Sequence, residues 1–361
     1  MDALINIEST DLSTARVALS DAARAFATQA LSENTRRAYA SQWQLWLDHC
    51  AATGVSPFPA TAEAVANWLA QRANEGDRGG KRLKLDGKGH ALSTLRNAVA
   101  AIKSVHAAKG AHFDTTAPAI TMVLKGVRRV KAEVQAQAAP MRASLILDVL
   151  KGMGGTPLEL RDACLLALGY AFARRRSELV GLDLDQVGHG DGFLTIDERL
   201  LTVVLVRHKT VTDEPLKLIV PRTGNEALVS AVERWLAVAQ VRPGQAILRN
   251  VSRWGTVGRE RLNDESVSKI IKKRIAEHFV RQGDTAAEAR LKADRFSGHS
   301  LRVGFCVSAA EAGADTRSIM SVSGHKSPAM VARYSAAADL ERSSPYKLAG
   351  VGLTTKDNGG E

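Results

Sequence analysis

The sequence predicts a mainly α-helical chain with one small antiparallel β-sheet, arranged as an all-helical N-terminal domain followed by an α+β domain. Three observations carry this. At 361 residues the chain has the length of two ordinary domains. Apolar residues recur at three- and four-residue spacing over most of it, the period of an amphipathic helix. Short β-branched runs bounded by turn residues occur only after Gly190.

In chain order, residues 10–28 and 35–52 read as helices, the second with Tyr39, Trp43, Trp46, Leu47 and Cys50 on one stripe and Gly54, Pro57 and Pro59 as its stop. Thr61 is the expected cap of a third helix bearing Val65, Trp68 and Leu69. Between Asn74 and Gly89 the run EGDRGGKRLKLDGKG has no apolar period and reads as a loop. Helices resume at 91–109 and 118–133. The following stretch offers little to bury and ends in Pro140, so it is the expected linker. Beyond it, helices are expected at 142–152, 157–173, 224–240, 264–280, 285–294, 300–312 and 328–334. The sheet is expected from 192–197, 201–207 and 216–220. This order of elements excludes a doubly wound α/β fold.

With 45% hydrophobic and 24% charged residues, the composition is that of a folded globular protein. The three cysteines, Cys50, Cys164 and Cys306, are odd in number and lack any metal-ligand spacing. They point to a reducing cytoplasm, with neither disulfides nor zinc. No run of about 18 apolar residues occurs, so neither export nor a membrane partner is expected. The formal charge of +11 is shared, +5 over residues 1–140 and +6 over 141–361. A pI near 9.7 makes nucleic acid the first partner to consider, with a merely basic surface as the alternative.

Familiar motifs fail. The glycines and lysine from Gly76 to Lys81 lack phosphate-loop spacing and a preceding strand, and the nine histidines contain no HExxH. What remains lies in the second half: Ala173-Arg-Arg-Arg-Ser-Glu-Leu-Val-Gly181, Arg207-His-Lys-Thr210, His299-Ser-Leu-Arg302, Gly324-His325 and Tyr334. Singly, each has an ordinary structural explanation: a solvated helix end, a capping or core histidine, a half-buried tyrosine.

Taken together and in order, these motifs resemble the active site of the tyrosine recombinase (phage integrase) family, and most closely its Cre-like site-specific recombinases. The resemblance covers about residues 30–350 and is most specific at 170–180 and 297–334. One departure is His325, where Cre has tryptophan and the wider family histidine. Counting back from Ser177-Glu178-Leu179 places the family arginine at Arg175, flanked by Arg174 and Arg176.

The resemblance implies a domain plan: an N-terminal extension (1–30), a helical core-binding DNA clamp (31–133), a linker (134–141), a catalytic domain (142–340) and a subunit-docking segment (341–361). It implies a site-specific recombinase that cuts and rejoins DNA through a 3′-phosphotyrosyl intermediate, with no cofactor and no metal. Tyr334 would be the nucleophile, and Arg175 and Arg302 the phosphate-holding forks that also favour phenolate. Lys209, on a hairpin, would protonate the leaving 5′-oxygen. His299 would be the acid/base toward tyrosine, His325 a donor to a nonbridging oxygen, and Glu178 the orienting carboxylate.

Double-stranded DNA with an inverted-repeat target and a homotetramer on two sites are the implied partners. Basic residues in the loop (Lys81, Arg82, Lys84, Lys88) and on two helices (Arg96 and Lys103; Lys269, Lys272 and Lys273) are the expected DNA contacts, on phosphate or in a groove. The rivals are a type IB topoisomerase, which shares this chemistry, and a non-catalytic DNA-binding regulator.

Overall fold

Helix α1 (Glu33–Thr53) opens the fold, seen here in a computed structural model that describes residues 31, 33–75, 89–131, 138–206 and 215–334. The expected helix at 10–28 and the segment 335–361 lie outside the described residues, as do residues 134–137 of the 134–141 linker. The chain divides into two units, one reaching Gln135 and the other starting at Ala136.

In the first unit α1 packs against α3 (Leu92–Ala108), and α2 (Ala62–Glu75) against α4 (Pro118–Val130). Their apolar stripes meet in a core of Trp46, Val65, Trp68, Leu69, Leu95, Val99, Ile102, Phe113 and Ile120. The expected cap is present: the Thr61 hydroxyl accepts from Ala64 N–H at 3.3 Å. Helix α3 turns Leu95, Ala98, Val99, Ile102 and Val105 inward and leaves Arg96 and Lys103, seven residues apart, on its solvent side.

The second unit is built around α6 (Pro157–Ala171), which starts with a Thr156/Glu159 capping box and is buried almost all round. It packs against α5 (Ala143–Lys151), α8 (Glu226–Ala239) and α11 (Ser300–Glu311). Two charged residues on its inner surface, Arg161 and Asp162, are satisfied there. Asp162 accepts from Arg161 at 2.6 Å and from Arg274 of α9 (Asp264–Arg281) at 2.7 Å. Helix α10 (Ala286–Ala293) covers α9.

The sheet differs from expectation in two respects. It has four strands, β1 (Leu182–Leu184), β2 (Gly192–Ile196), β3 (Leu200–Leu205) and β4 (Leu216–Pro221), and β1 runs parallel to β2 while the rest is an antiparallel meander. A separate hairpin, β5 (Arg249–Val251) and β6 (Val257–Arg261), was not expected. Three-residue strands such as β1 and β5 are too short to show alternation, which is why the pattern passes over them.

Two short helices were also missed: α7 (Arg176–Val180) and α12 (Thr316–Ser323). The last described helix, α13, covers 328–334. Together with α11 they frame the site. Gly304 lets α11 approach the chain at Met141, since a Cβ there would meet the Met141 carbonyl at 1.9 Å. Met141 N–H to Ser300 C=O, 3.0 Å, secures that approach. No helix among the described residues is long and apolar enough to cross a membrane.

Candidate active site

The arginine triplet follows directly from the end of α6. Ala173 is forced to φ +47°, a left-handed conformation that costs a non-glycine residue about 1–2 kcal/mol. The strained turn aims the Ala173 carbonyl at Arg302, whose Nη1 donates to it at 3.1 Å. The three arginines then diverge. Arg174 is buried, donating to the carbonyls of Phe172 (2.9 Å) and Val322. Arg176 turns away to pair with Asp264 at 3.1 Å. Arg175 sits between them at the start of α7, its guanidinium donating to Glu178 at 2.8 Å and its backbone N–H to the same carboxylate at 3.2 Å.

Glu178 is only 5% exposed, and its ion pair with Arg175 is formed by a buried carboxylate. One carboxylate caps the short helix and holds Arg175 in place.

Arg302, 2% exposed, reaches the same centre from α11. His299 stands one turn before it at the helix entrance. Its ring is open to solvent on one side, yet the surrounding protein, followed by the charges of Arg302 and Arg175, lowers its pKa. His325 follows Gly324, which ends α12 in the left-handed conformation at φ +67°. Its Nε2 lies 3.4 Å from Arg302 Nε and its Nδ1 2.8 Å from Ser323 Oγ. Burial and then the Arg302 charge depress its pKa to about 4, so the ring is neutral at neutral pH.

Tyr334, on α13, completes the set. Its ring packs on Cys306, Ala310, Ile319 and Val331 and lies 5.5 Å from the His325 ring, centroid to centroid.

Two expectations bear on where protons sit in the site. The cations were expected to favour phenolate, and Arg302 and Arg333 do act in that sense. Burial, assisted by Cys306, outweighs them and raises the Tyr334 pKa above its ordinary value. His325 was expected to donate to a nonbridging oxygen of bound DNA, and without DNA its Nε2 faces Arg302. Here that nitrogen accepts from Arg302, because a guanidinium has protons and no acceptor.

The structure thus brings Arg175, Glu178, His299, Arg302, His325 and Tyr334 to one centre. Lys209 belongs to the segment joining β3 to β4, outside the described residues, as do Lys81, Arg82, Lys84 and Lys88. Arg96 and Lys103 are exposed on α3. On α9, Lys269 is exposed, Lys272 is paired with Asp294 at 2.9 Å, and Lys273 lies 3.9 Å from Glu277. Sequence reasoning passed over Arg174 as a buried partner, Arg333 beside the tyrosine, and Ser323. Ser323 left only an uninformative Ser-Gly-His spacing. Among the described residues, no group of three or more His, Cys, Asp or Glu side chains is arranged to hold a metal ion.

Buried guanidiniums around a half-buried tyrosine define a protein that grips a phosphodiester, and the comparisons agree on which kind. Residues 140–341 match the phage integrase family, and the chain belongs to it. It is similar to an integrase/recombinase XerD homolog of Selenomonas ruminantium, 28% identical over 310 residues, covering 84% of this chain and 81% of that protein. It is also similar to the Cre recombinase of Escherichia phage P1, 23% identical over 329 residues and covering 89% of each. Among solved structures, the fold is similar to that of the XerH site-specific recombinase in a post-cleavage complex with palindromic difH substrate. The TM-score is 0.51 at 14% identity, over 81% of this chain and 72% of that one. It also resembles the Tn1549 transposon integrase bound to transposon right-end DNA, TM-score 0.50 at 15% identity, over 89% and 98%.

Proposed function

We propose that this tyrosine-type site-specific DNA recombinase uses Tyr334 as its nucleophile and double-stranded DNA as its substrate. The observation that carries the reading is charge. Arg174, Arg175 and Arg302 converge beside the tyrosine, and among the described residues one neighbouring carboxylate, Glu178, stands against them. Buried cations in surplus are costly until an anion enters, and a phosphodiester is an anion of the right shape for two guanidinium forks.

In the proposed step, Tyr334 Oη attacks phosphorus and its proton passes to His299, kept neutral by its lowered pKa. The bond from phosphorus to the 5′-oxygen breaks, and Lys209 supplies the proton that makes a free 5′-hydroxyl. The 3′-phosphotyrosyl link stores the bond energy, so a second 5′-hydroxyl rejoins the strand by the reverse route. Arg175 and Arg302 stabilise the charge gathered on the nonbridging oxygens in the transition state.

Residues 31–133 would clamp the duplex from one side and 142–340 carry the chemistry, with 341–361 docking into a neighbouring subunit of a tetramer on two inverted-repeat sites. Helix α3 suits the clamp. It carries Arg96 and Lys103 on its open face and has no acidic residue anywhere along it. The cytoplasm, where the DNA lies, is the expected location.

The test is covalent trapping in EDTA. Nicked duplexes drawn from DNA flanking the coding region are incubated with the wild type and with Tyr334→Phe. A denaturation-resistant band with the wild type alone is the expected result. Binding by both proteins without a band would favour a DNA-binding module. Recombination between two marked sites then separates a recombinase from a topoisomerase.

A further inference from the structure

Ser323 is fully buried at the end of α12 and makes two hydrogen bonds whose directions can be worked out. Its Oγ lies 2.7 Å from the Ile319 carbonyl, one turn back, and 2.8 Å from His325 Nδ1. A carbonyl oxygen only accepts, so the single hydroxyl proton goes to Ile319. The oxygen must therefore accept from His325, which places the imidazole proton on Nδ1. The other ring nitrogen agrees, since Nε2 faces the Arg302 Nε–H at 3.4 Å and can only accept there.

We infer that Ser323 is the positioning residue of His325: it holds the ring in the Nδ1–H form and presents a bare Nε2 to the reacting centre. This rests on the reading of His325 as part of the recombinase site. A free histidine side chain in water prefers the opposite tautomer, with Nε2 carrying the proton, so the bare nitrogen is imposed by its surroundings. The arrangement also survives a change of charge. Ser323 Oγ accepts from Nδ1–H whether the ring is neutral or cationic, so this bond is kept when Nε2 gives up the Arg302 contact and takes a proton from solvent beside an arriving phosphodiester. A hydroxyl anchored to its own helix is well suited to this, because the Ile319 carbonyl fixes which way its proton points.

The test has one arm without DNA and one with it. Nitrogen-15 spectra of histidine-labelled protein read the tautomer of His325 directly. The wild type is expected to show a protonated Nδ1 and an unprotonated Nε2, and Ser323→Ala a shift toward the Nε2–H form. In covalent trapping with the nicked duplexes, Ser323→Ala should slow adduct formation on the order of 10–100-fold, the range for loss of an orienting partner, with affinity for the same duplexes unchanged. Ser323→Thr, which keeps the hydroxyl, should restore the tautomer and the rate. A wild-type ring protonated on Nε2 overturns the inference whether or not any variant folds. An unchanged tautomer and rate in Ser323→Ala overturn it as well. If the tautomer responds while the wild type forms no adduct, it is the recombinase reading that fails, and the catalytic role of Ser323 falls with it.

Discussion

His106 in the N-terminal unit and His325 in the active site are both buried, both have each ring nitrogen engaged, and both carry their proton on Nδ1. His106 Nε2 accepts from the Ala60 backbone N–H at 2.9 Å, which leaves Nδ1–H to donate to the Ile102 carbonyl at 2.8 Å. Aromatic rings enclose it, Phe58 at 4.9 Å and Phe113 at 5.2 Å. Its partners are main chain, so it works as a strut between α3 and the start of α2. His325 has the same tautomer, yet its partners are side chains, a serine on one nitrogen and an arginine on the other, and cations surround it. Burial and saturation do not separate a structural histidine from a chemical one; the chemistry of its partners, main chain for one and side chains including a cation for the other, does.

The comparison breaks most readily at the arginine bonded to His325. Arg302→Lys keeps the charge but removes the fork, and strand cleavage measured by trapping should fall about 10²–10³-fold. His325→Gln should cost about 10²-fold in the same assay while the thermal unfolding midpoint stays within error. His106→Gln should do the reverse. The adduct rate per folded molecule is retained, while chemical denaturation shows a loss of about 1–3 kcal/mol, because buried main-chain groups are left without partners.

Acid sharpens the contrast. Burial lowers both pKa values below the ordinary 6.5, so the folded protein rejects a proton that the unfolded chain accepts. The stability these groups contribute is complete above pH 6.5 and is lost as the pH falls through 6.5 toward the folded values, about 4 for His325. His49, His278 and His299 act in the same sense. Urea midpoints should therefore fall below pH 6.5. Sulfate, an anion for the arginine cluster, should offset the part due to His325 and leave the part due to His106 unchanged. The smallest effect is expected on α3, where Lys103→Ala should reduce the salt dependence of DNA binding by about one ion. An unchanged slope would remove Lys103 from the interface.

Much of the helical framework was legible because its signals are local. The stripe of Tyr39, Trp43, Trp46 and Cys50 announced α1, and Thr61 announced the start of α2. The site residues were legible for a different reason: Arg-x-x-Glu, His-x-x-Arg, Gly-His and Tyr334 form an ordered set whose family resemblance no single member carries. The three-residue strands β1 and β5 fell below the length at which alternation can be read, and α12 is a helix of only eight residues, too short for its period to stand out. Motif spacing singled out Arg175 within the arginine triplet, but what its neighbours Arg174 and Arg176 do was not legible. Three adjacent identical residues differ only in where the strained turn at Ala173 points them.

The sequence by itself determined the two-part organisation into helices and a later sheet, the basic charge, and which residue types were available to hold and attack a phosphodiester. Helix periodicity, charge and motif order are properties of neighbours along the chain, so they can be read from it. Only the tertiary structure decided that Arg174 is buried while Arg176 pairs with Asp264, that Glu178 anchors Arg175, and that burial pushes the Tyr334 pKa up rather than down. It alone decided that Ser323 sets the proton on His325. Those outcomes depend on desolvation and on hydrogen-bond direction between groups brought together from distant parts of the chain, and neither quantity exists until the chain has folded.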